Sequence, residues 1–393
     1  MIHILPSVAI AALADGKTAV GTLSHGTYSW SEATPIDAEP EKICTKPSRL
    51  LNDHGIIAAL TYDSRILAGH DTTKLDDITP SFESIMGAEV FKVSNICVRG
   101  RSVIAWSDLT IGLAVLPIGS DSITTYSCTF ESEIELISVD VAWCLVKTRD
   151  NRLFGLSIRE QGWSSSSCMG NPLILDHQAE LVFHDIANVR EVHAGDGQLG
   201  LVMSNGSAFG CEYYGPLATQ RPMKQMMFPT GETVLRVVNA GTHMVYLTAS
   251  LFTEGVESTT GINVWISRLY LMQVLKDYVI ENVLPVSWGS IIVQCKSFPT
   301  SKTYIMRVSS CMGDPNRIIH LPALDGLTIV SVTCGIPNSY CCFVTDDGKV
   351  YWSHNIDSSE PTITRDSFFD ANPIAAERTR SMIGSAGSVL NDA

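Results

Sequence analysis

The chain has 393 residues, 45% of them apolar and 17% charged, which is ample material for a large core and argues against global disorder. Lysine and arginine total 27 against 41 acids, a formal net charge of −14. A polyanion would have to find a local basic patch against that field, so wholesale nucleic-acid binding is disfavoured. The eleven cysteines are scattered along strand-like segments without any C-x-x-C, and the single adjacent pair is Cys341-Cys342. Most read as buried small hydrophobes of a reducing compartment. The start, Met1-Ile2-His3-Ile4-Leu5-Pro6, has neither the basic region of a secretory signal nor the arginines of a mitochondrial one. No uncharged apolar run reaches membrane-spanning length. The expectation is a cytoplasmic or nuclear protein without a membrane partner.

Taken in chain order, a strand–Gly–strand–turn–strand unit recurs. Residues 12–30, ending His25-Gly26-Thr27-Tyr28-Ser29-Trp30, form a partial unit. The next runs through Asp53-His54-Gly55, a strand at 56–60 and a turn-and-strand at 63–69. A unit at 93–113 is inferred from spacing, and a weak copy comes after it at 136–141, 142–147 and 150–155. Residues 160–176, with Ser164-Ser165-Ser166-Ser167, read as a loop between units. A clear copy is Val192-His193-Ala194-Gly195, then 199–203, then Asn205-Gly206 and a strand to Gly210. Residues 237–243 and 244–248 start another, whose third strand is expected at 262–266. That placement makes 249–260 a hairpin swollen beyond ordinary turn length. Residues 269–284 fit neither period cleanly, so they suit an amphipathic helix or two strands, and strand is favoured because a unit is due there, with a further inferred unit at 286–306.

The best-written copy is Val332-Thr333-Cys334-Gly335, a strand at 340–345, a turn at Asp347-Gly348, and Lys349-Val350-Tyr351-Trp352. Asp-Gly between β-prone runs is the strongest short-range hairpin signal, because Gly supplies the positive φ the turn needs. The glycines or their stand-ins fall near positions 55, 100, 140, 195, 241, 289 and 335. Several short strands per unit, at a period of roughly 45–50 residues, are what a propeller blade requires. Long amphipathic helices do not alternate with the strands, which removes βαβ folds. Tyr28, Trp30, Phe209, Tyr351 and Trp352 are expected at equivalent third-strand positions, packing between blades.

The pattern V-x-C-G, an apolar strand, then D-G-x-V-Y-x-W resembles the repeat of the regulator of chromosome condensation family. The resemblance spans roughly residues 12–353. It implies an all-β, seven-bladed β-propeller closed by an N-terminal segment that pairs into the last blade. The expected division is a propeller at 1–356 and a polar, flexible tail at 357–393. The sequence departs from the family where units usually end in Trp-Gly: Trp352, Trp30 and Trp106 are each followed by serine. The family's usual histidine is matched at His243. The resemblance also implies guanine nucleotide exchange on a small GTPase, although no residue here matches the family's wedge.

Catalytic motifs are sparse. Gly195-Asp196-Gly197-Gln198-Leu199-Gly200 is a literal G-x-G-x-x-G, but residues 201–206 beyond it read as strand and turn rather than the helix a pyrophosphate needs. His184-Asp185 and His193 lack a third partner. Asp346-Asp347 belongs to a hairpin, and Asp76-Asp77 reads as loop. The expectation is therefore no catalytic residue, no metal and no cofactor, and a non-catalytic scaffold for a protein partner. The swollen hairpin supplies the expected partner-binding residues, Leu251, Phe252, Glu254 and Glu257, an apolar anchor beside acids.

Overall fold

The computed structural model describes residues 2–374 apart from connecting segments. The longest of these are 161–172, 213–222, 255–278 and 308–317, and the others span one to nine residues. Short β-branched and aliphatic runs, bounded by turn residues, pair into eight sheets, seven of four strands and one of three. Every sheet is an antiparallel meander in chain order.

Blade 1 comprises β1 (Ile2–Ile4), β2 (Val8–Ala12), β3 (Thr18–Ser24) and β4 (Thr27–Ala33). Blade 2 comprises β5 (Pro40–Lys46), β6 (Ile56–Thr61), β7 (Ile66–Gly69) and β8 (Asp76–Asp77), followed by helix α1 (Thr79–Met86). Blade 3 holds β9 (Asn95–Arg99), β10 (Ser102–Trp106), β11 (Thr110–Val115) and β12 (Thr124–Thr129). Blade 4 holds β13 (Ile134–Val139), β14 (Trp143–Thr148), β15 (Leu153–Glu160) and β16 (Leu173–Glu180). Blade 5 holds β17 (Val189–Gly195), β18 (Gln198–Met203), β19 (Ala208–Glu212) and β20 (Lys224–Gln225). Blade 6 has β21 (Val234–Asn239), β22 (Met244–Thr248) and β23 (Phe252–Glu254). Blade 7 has β24 (Val279–Ser287), β25 (Ser290–Lys296), β26 (Lys302–Arg307) and β27 (Ile318–His320). Blade 8 has β28 (Ile329–Cys334), β29 (Cys341–Thr345), β30 (Val350–Ser353) and β31 (Ile363–Asp366), followed by the short helix α2 (Phe368–Ala371).

The core lies between the sheets, because each sheet buries both faces against its neighbours. Ile10, Ile43 and Ile57 join blades 1 and 2, and Ile104, Phe130 and Val146 join blades 3 and 4. Phe82 of α1 completes the wedge between blades 2 and 3. The ring closes where Trp30 and Ala9 of blade 1 meet Cys342 and Trp352 of blade 8. First strands of successive blades adjoin and so form the inner rim. Several of these joints are stitched by side chains. Lys42 Nζ donates to Asn95 Oδ1 at 2.6 Å, Ala194 N to Ser138 Oγ at 2.9 Å, Asn282 Nδ2 to Ile329 O at 2.9 Å, and Thr333 Oγ1 to Ile2 O at 2.9 Å.

The all-β propeller is as expected, but the structure corrects several details. Residues 2–33 are a complete four-stranded sheet, so the ring has eight sheets rather than seven plus a closing segment. Among the described residues, backbone pairing between the N-terminal region and the end of the chain amounts to one bridge, Leu13 with Ile374, and the bond from Ala14 N to Pro373 O, and the rest of that joint is made by side chains. The propeller extends past residue 356: β31 is the fourth strand of blade 8, and Phe369 and Ile374 are buried. Residues 375–393 of the expected tail lie outside the described residues. Tyr28 and Trp30 belong to a fourth strand, not a third. Residues 160–176 fall inside blade 4, where β15 pairs with β16, rather than between blades. Asp76 and Asp77 form β8 instead of a loop. Strand holds from Val279 onward in the ambiguous 269–284 stretch, the earlier part of which lies outside the described residues. Cys341 is disulfide-bonded, an exception to the reading of the cysteines as reduced thiols, whereas Cys144, Cys295 and Cys342 are buried thiols.

Candidate interaction surface

Five of the hairpins between second and third strands share one construction, at residues 13–17, 61–65, 148–152, 203–207 and 345–349. The first residue donates its N–H to the fifth carbonyl at 2.8–3.0 Å, and the fourth N–H returns to the first carbonyl at 2.9–3.1 Å. The fourth residue has positive φ: Gly16 85°, Ser64 67°, Asn151 61°, Gly206 80° and Gly348 77°. Gly, Asn and Ser occur there because bulkier side chains clash in that region. In three copies the first residue is threonine and the third aspartate, and the hydroxyl donates to the carboxylate: Thr61 to Asp63, Thr148 to Asp150 at 2.5 Å, Thr345 to Asp347 at 2.6 Å. This local bond pre-forms the turn.

A four-strand meander places the second-to-third hairpins and the blade-to-blade connections on the same face. Backbone bonds tie the two sets together there: Asp346 N to Thr328 O at 3.0 Å, Ser204 N to Asn188 O at 2.8 Å, Arg149 N to Glu133 O at 2.8 Å. Six first strands carry a β-bulge close to this face, with Glu41, Glu135, Arg190, Leu235, Glu281 and Val330 as the extra residues. A bulge bends its strand and re-aims a side chain. Glu135 thereby reaches the ammonium of Lys147, which is only 2% exposed. Arg190 Nη2 donates to Val234 O at 3.2 Å and its Nε pairs with Glu191 at 2.8 Å, while Val330 stands 45% exposed.

The electrostatics of this face come from its pairs. Lys17 bonds Asp15 and Glu32 at 3.1 and 3.2 Å, Arg65 bonds Asp63 at 2.9 Å, and Arg149 bonds Glu133 at 2.5 Å. Arg152 bridges Glu131 at 2.8 Å and Glu180 at 2.9 Å. The bonds from Lys349 and Thr345 hold the Asp347 carboxyl down at about 2. Burial pushes Glu191 up, but the hydrogen bond from His193, at 3.0 Å, and the charges of His193 and Arg190 outweigh it and leave it lowered. These basic groups are thus committed within the face, and exposed Asp108 and Asp150 add to its negative charge. Tyr62 and Leu109, at the tips of adjacent hairpins, are 46% and 41% exposed. With Val330 they are the exposed large hydrophobics among the described residues, and all three lie on this face.

Of the residues expected to bind a partner, Phe252 and Glu254 lie in β23, opposite Leu247 and Val245. The expected third strand at 262–266, and Leu251 and Glu257, lie outside the described residues. The period-based reading failed because it placed the third strand too late. The G-x-G-x-x-G stretch joins β17 to β18, strand to strand, so no helix N-terminus faces it. His184 packs against Phe183 and Phe209 while His193 bonds Glu191, so the two do not act together. Among the described residues no group of three His, Cys, Asp or Glu could hold a metal. On the opposite face, His70 and His354 come directly after the third strands of blades 2 and 8 at equivalent positions. Both ring nitrogens of His70 and Nδ1 of His354 are buried without hydrogen-bond partners, and burial lowers the His354 pKa. Among the described residues no general-base pair is assembled there.

No family model and no curated protein matches the chain. Solved structures do resemble it. Prp20p from Saccharomyces cerevisiae aligns over 93% of this chain and 88% of its own at 10% identity, with a TM-score of 0.47. Human WBSCR16 aligns over 85% and 84% at 10% identity, with a TM-score of 0.40. BamB from Moraxella catarrhalis aligns over 90% and 92% at 14% identity, with a TM-score of 0.40. The chain is a β-propeller.

Proposed function

We propose that the protein is a non-catalytic interaction scaffold whose hairpin face receives a protein partner. The observation that carries this reading is that the exposed large hydrophobics among the described residues, Tyr62, Leu109 and Val330, all lie on that one face, among acids and already-paired bases. Loops and hairpins on a rigid ring are where binding residues can vary without cost to the core. A partner with apolar side chains and a basic rim complements the surface.

Site-specific photo-crosslinkers at Tyr62 and Leu109 test it, with Glu360 of the 3–4 connection on the opposite face as the control position. The expected result is one protein captured from both hairpin positions and not from the control. Equal capture from the control position overturns the assignment of the face. Nucleotide release from a panel of small GTPases is expected to stay at its uncatalysed rate, and acceleration of one of them would establish the exchange-factor alternative.

A further inference from the structure

The outermost strand of a blade leaves one row of backbone N–H and C=O groups unpaired, a template for pairing with another chain. Most blades here blunt that edge. β8, β20 and β27 are only two or three residues long. β4 carries Glu32, β16 carries Asp176 and Glu180, and β31 carries Arg365. Blade 3 is different. Its β12 reads Thr-Thr-Tyr-Ser-Cys-Thr, six residues without a charge or a proline. All six pair one-to-one with β11, with no bulge to twist the edge away. No further strand pairs on β12 among the described residues. Helix α1 packs on the face of the blade, over Gly112 of β11 and along β12.

We propose that β12 is a docking edge that takes up an extended segment of another protein as a fifth, added strand. Main-chain hydrogen bonds would supply the affinity, and threonine and serine on the exposed positions suit a β-branched guest. The surroundings fix the sign of the guest's charge. Glu131 lies just beyond the strand with its side chain 86% exposed even in its pair with Arg152, and the whole molecule carries −14. A guest flanked by lysine or arginine fits that field. A second copy fits it poorly, because antiparallel pairing would bring together two bodies of the same large charge and set Glu131 of each beside the other's strand. This edge lies on the outer rim and does not depend on the hairpin face.

The test uses fluorescent eight-residue peptides of alternating threonine and valine, ended by lysine or by glutamate, and a lysine-ended version with alternate backbone nitrogens methylated. Binding is read by anisotropy, and amide exchange of β12 is followed by mass spectrometry. The lysine-ended peptide should bind saturably and slow exchange in residues 124–129, and the methylated version should not bind. The glutamate-ended peptide should bind about tenfold more weakly. Ser127→Lys, at an exposed position that leaves the core untouched, should weaken binding of the lysine-ended peptide by about tenfold or more, as a guard lysine does on natural edges. The proposal is overturned if the lysine-ended peptide does not bind saturably, or if methylation or Ser127→Lys leaves its binding unchanged. It is equally overturned if the protein alone sediments as a dimer that Ser127→Lys dissociates, since the occupant would then be a second copy.

Discussion

Trp30 of the first blade and Trp352 of the last both donate their indole N–H to one oxygen, Asp366 Oδ2, at 2.8 and 3.0 Å. The other oxygen of that carboxylate accepts the backbone N–H of Phe368 at 3.1 Å, which starts the helix whose Phe369 ring meets Trp30 edge-on with centroids 4.8 Å apart. One carboxylate therefore organises the closure of the ring.

Asp366→Ala should leave two largely buried donors without an acceptor, at about 1–3 kcal/mol each. Urea unfolding followed by tryptophan fluorescence should show a clearly lowered midpoint, and Asp366→Asn, which keeps one acceptor oxygen, should lose less. A wild-type midpoint in the alanine variant would mean that the apolar contacts alone close the ring.

Two hairpin glycines with the same backbone conformation should respond differently to alanine. A Cβ at Gly348 would find its nearest neighbour at 3.6 Å, so Gly348→Ala should cost only the left-handed backbone strain, about 1–2 kcal/mol. A Cβ at Gly206 would stand 2.4 Å from Thr233 Cβ, adding an overpacking cost of about 1–3 kcal/mol. Thermal melts of the two variants should rank Gly206→Ala well below Gly348→Ala.

The Asp347 carboxyl is lowered from 3.8 to about 2 by its bonds to Lys349 and Thr345. A depressed folded-state pKa adds stability that is complete above the unfolded value and is lost as pH falls through the folded one. Asp347→Asn should therefore be less stable than wild type at neutral pH by a small, salt-sensitive amount, since the pair is solvent-exposed. The difference should shrink from about pH 4 downward and vanish near pH 2, as read from urea midpoints across that range.

Lys147 and Glu135 form a half-buried pair whose members should not be equivalent. Removing the acid, Glu135→Ala, strands a buried ammonium and should cost about 3–5 kcal/mol, nearer the low end because Glu135 is partly exposed. Lys147→Met keeps the volume and removes the charge, and should be near neutral. The double variant should recover most of the loss, and a loss equal to that of Glu135→Ala alone would refute the assignment.

The turns were legible in the sequence because their causes are local. Asp347-Gly348 and Asn205-Gly206 announce positive φ and a side-chain bond within two residues. The apolar strands beside them, 199–203 and 341–345, are legible as short runs bounded by those turns. The bulges were not legible. An extra residue such as Val330 or Glu135 interrupts the two-residue period and looks, in one dimension, like noise. The late placement of the third strand in blade 6 came from the same reliance on even spacing.

What the sequence determined by itself was the class of the fold: a repeat of short strands and tight turns, too brief to bury its own apolar faces, has to stack side by side. What only the tertiary structure decided was how the stack ends. Residues 2–12 could pair into the last sheet or begin one of their own, and the sequence between β1 and β2 carries Pro6 where most other units have glycine. The choice rests on contacts between the two ends of the chain, Leu13 with Ile374 and Trp30 with Asp366, and no local pattern encodes a partner that far away. The interaction surface has the same origin. Tyr62, Leu109 and Val330 belong to three different units, and they share a face because ring closure fixes the direction of every strand.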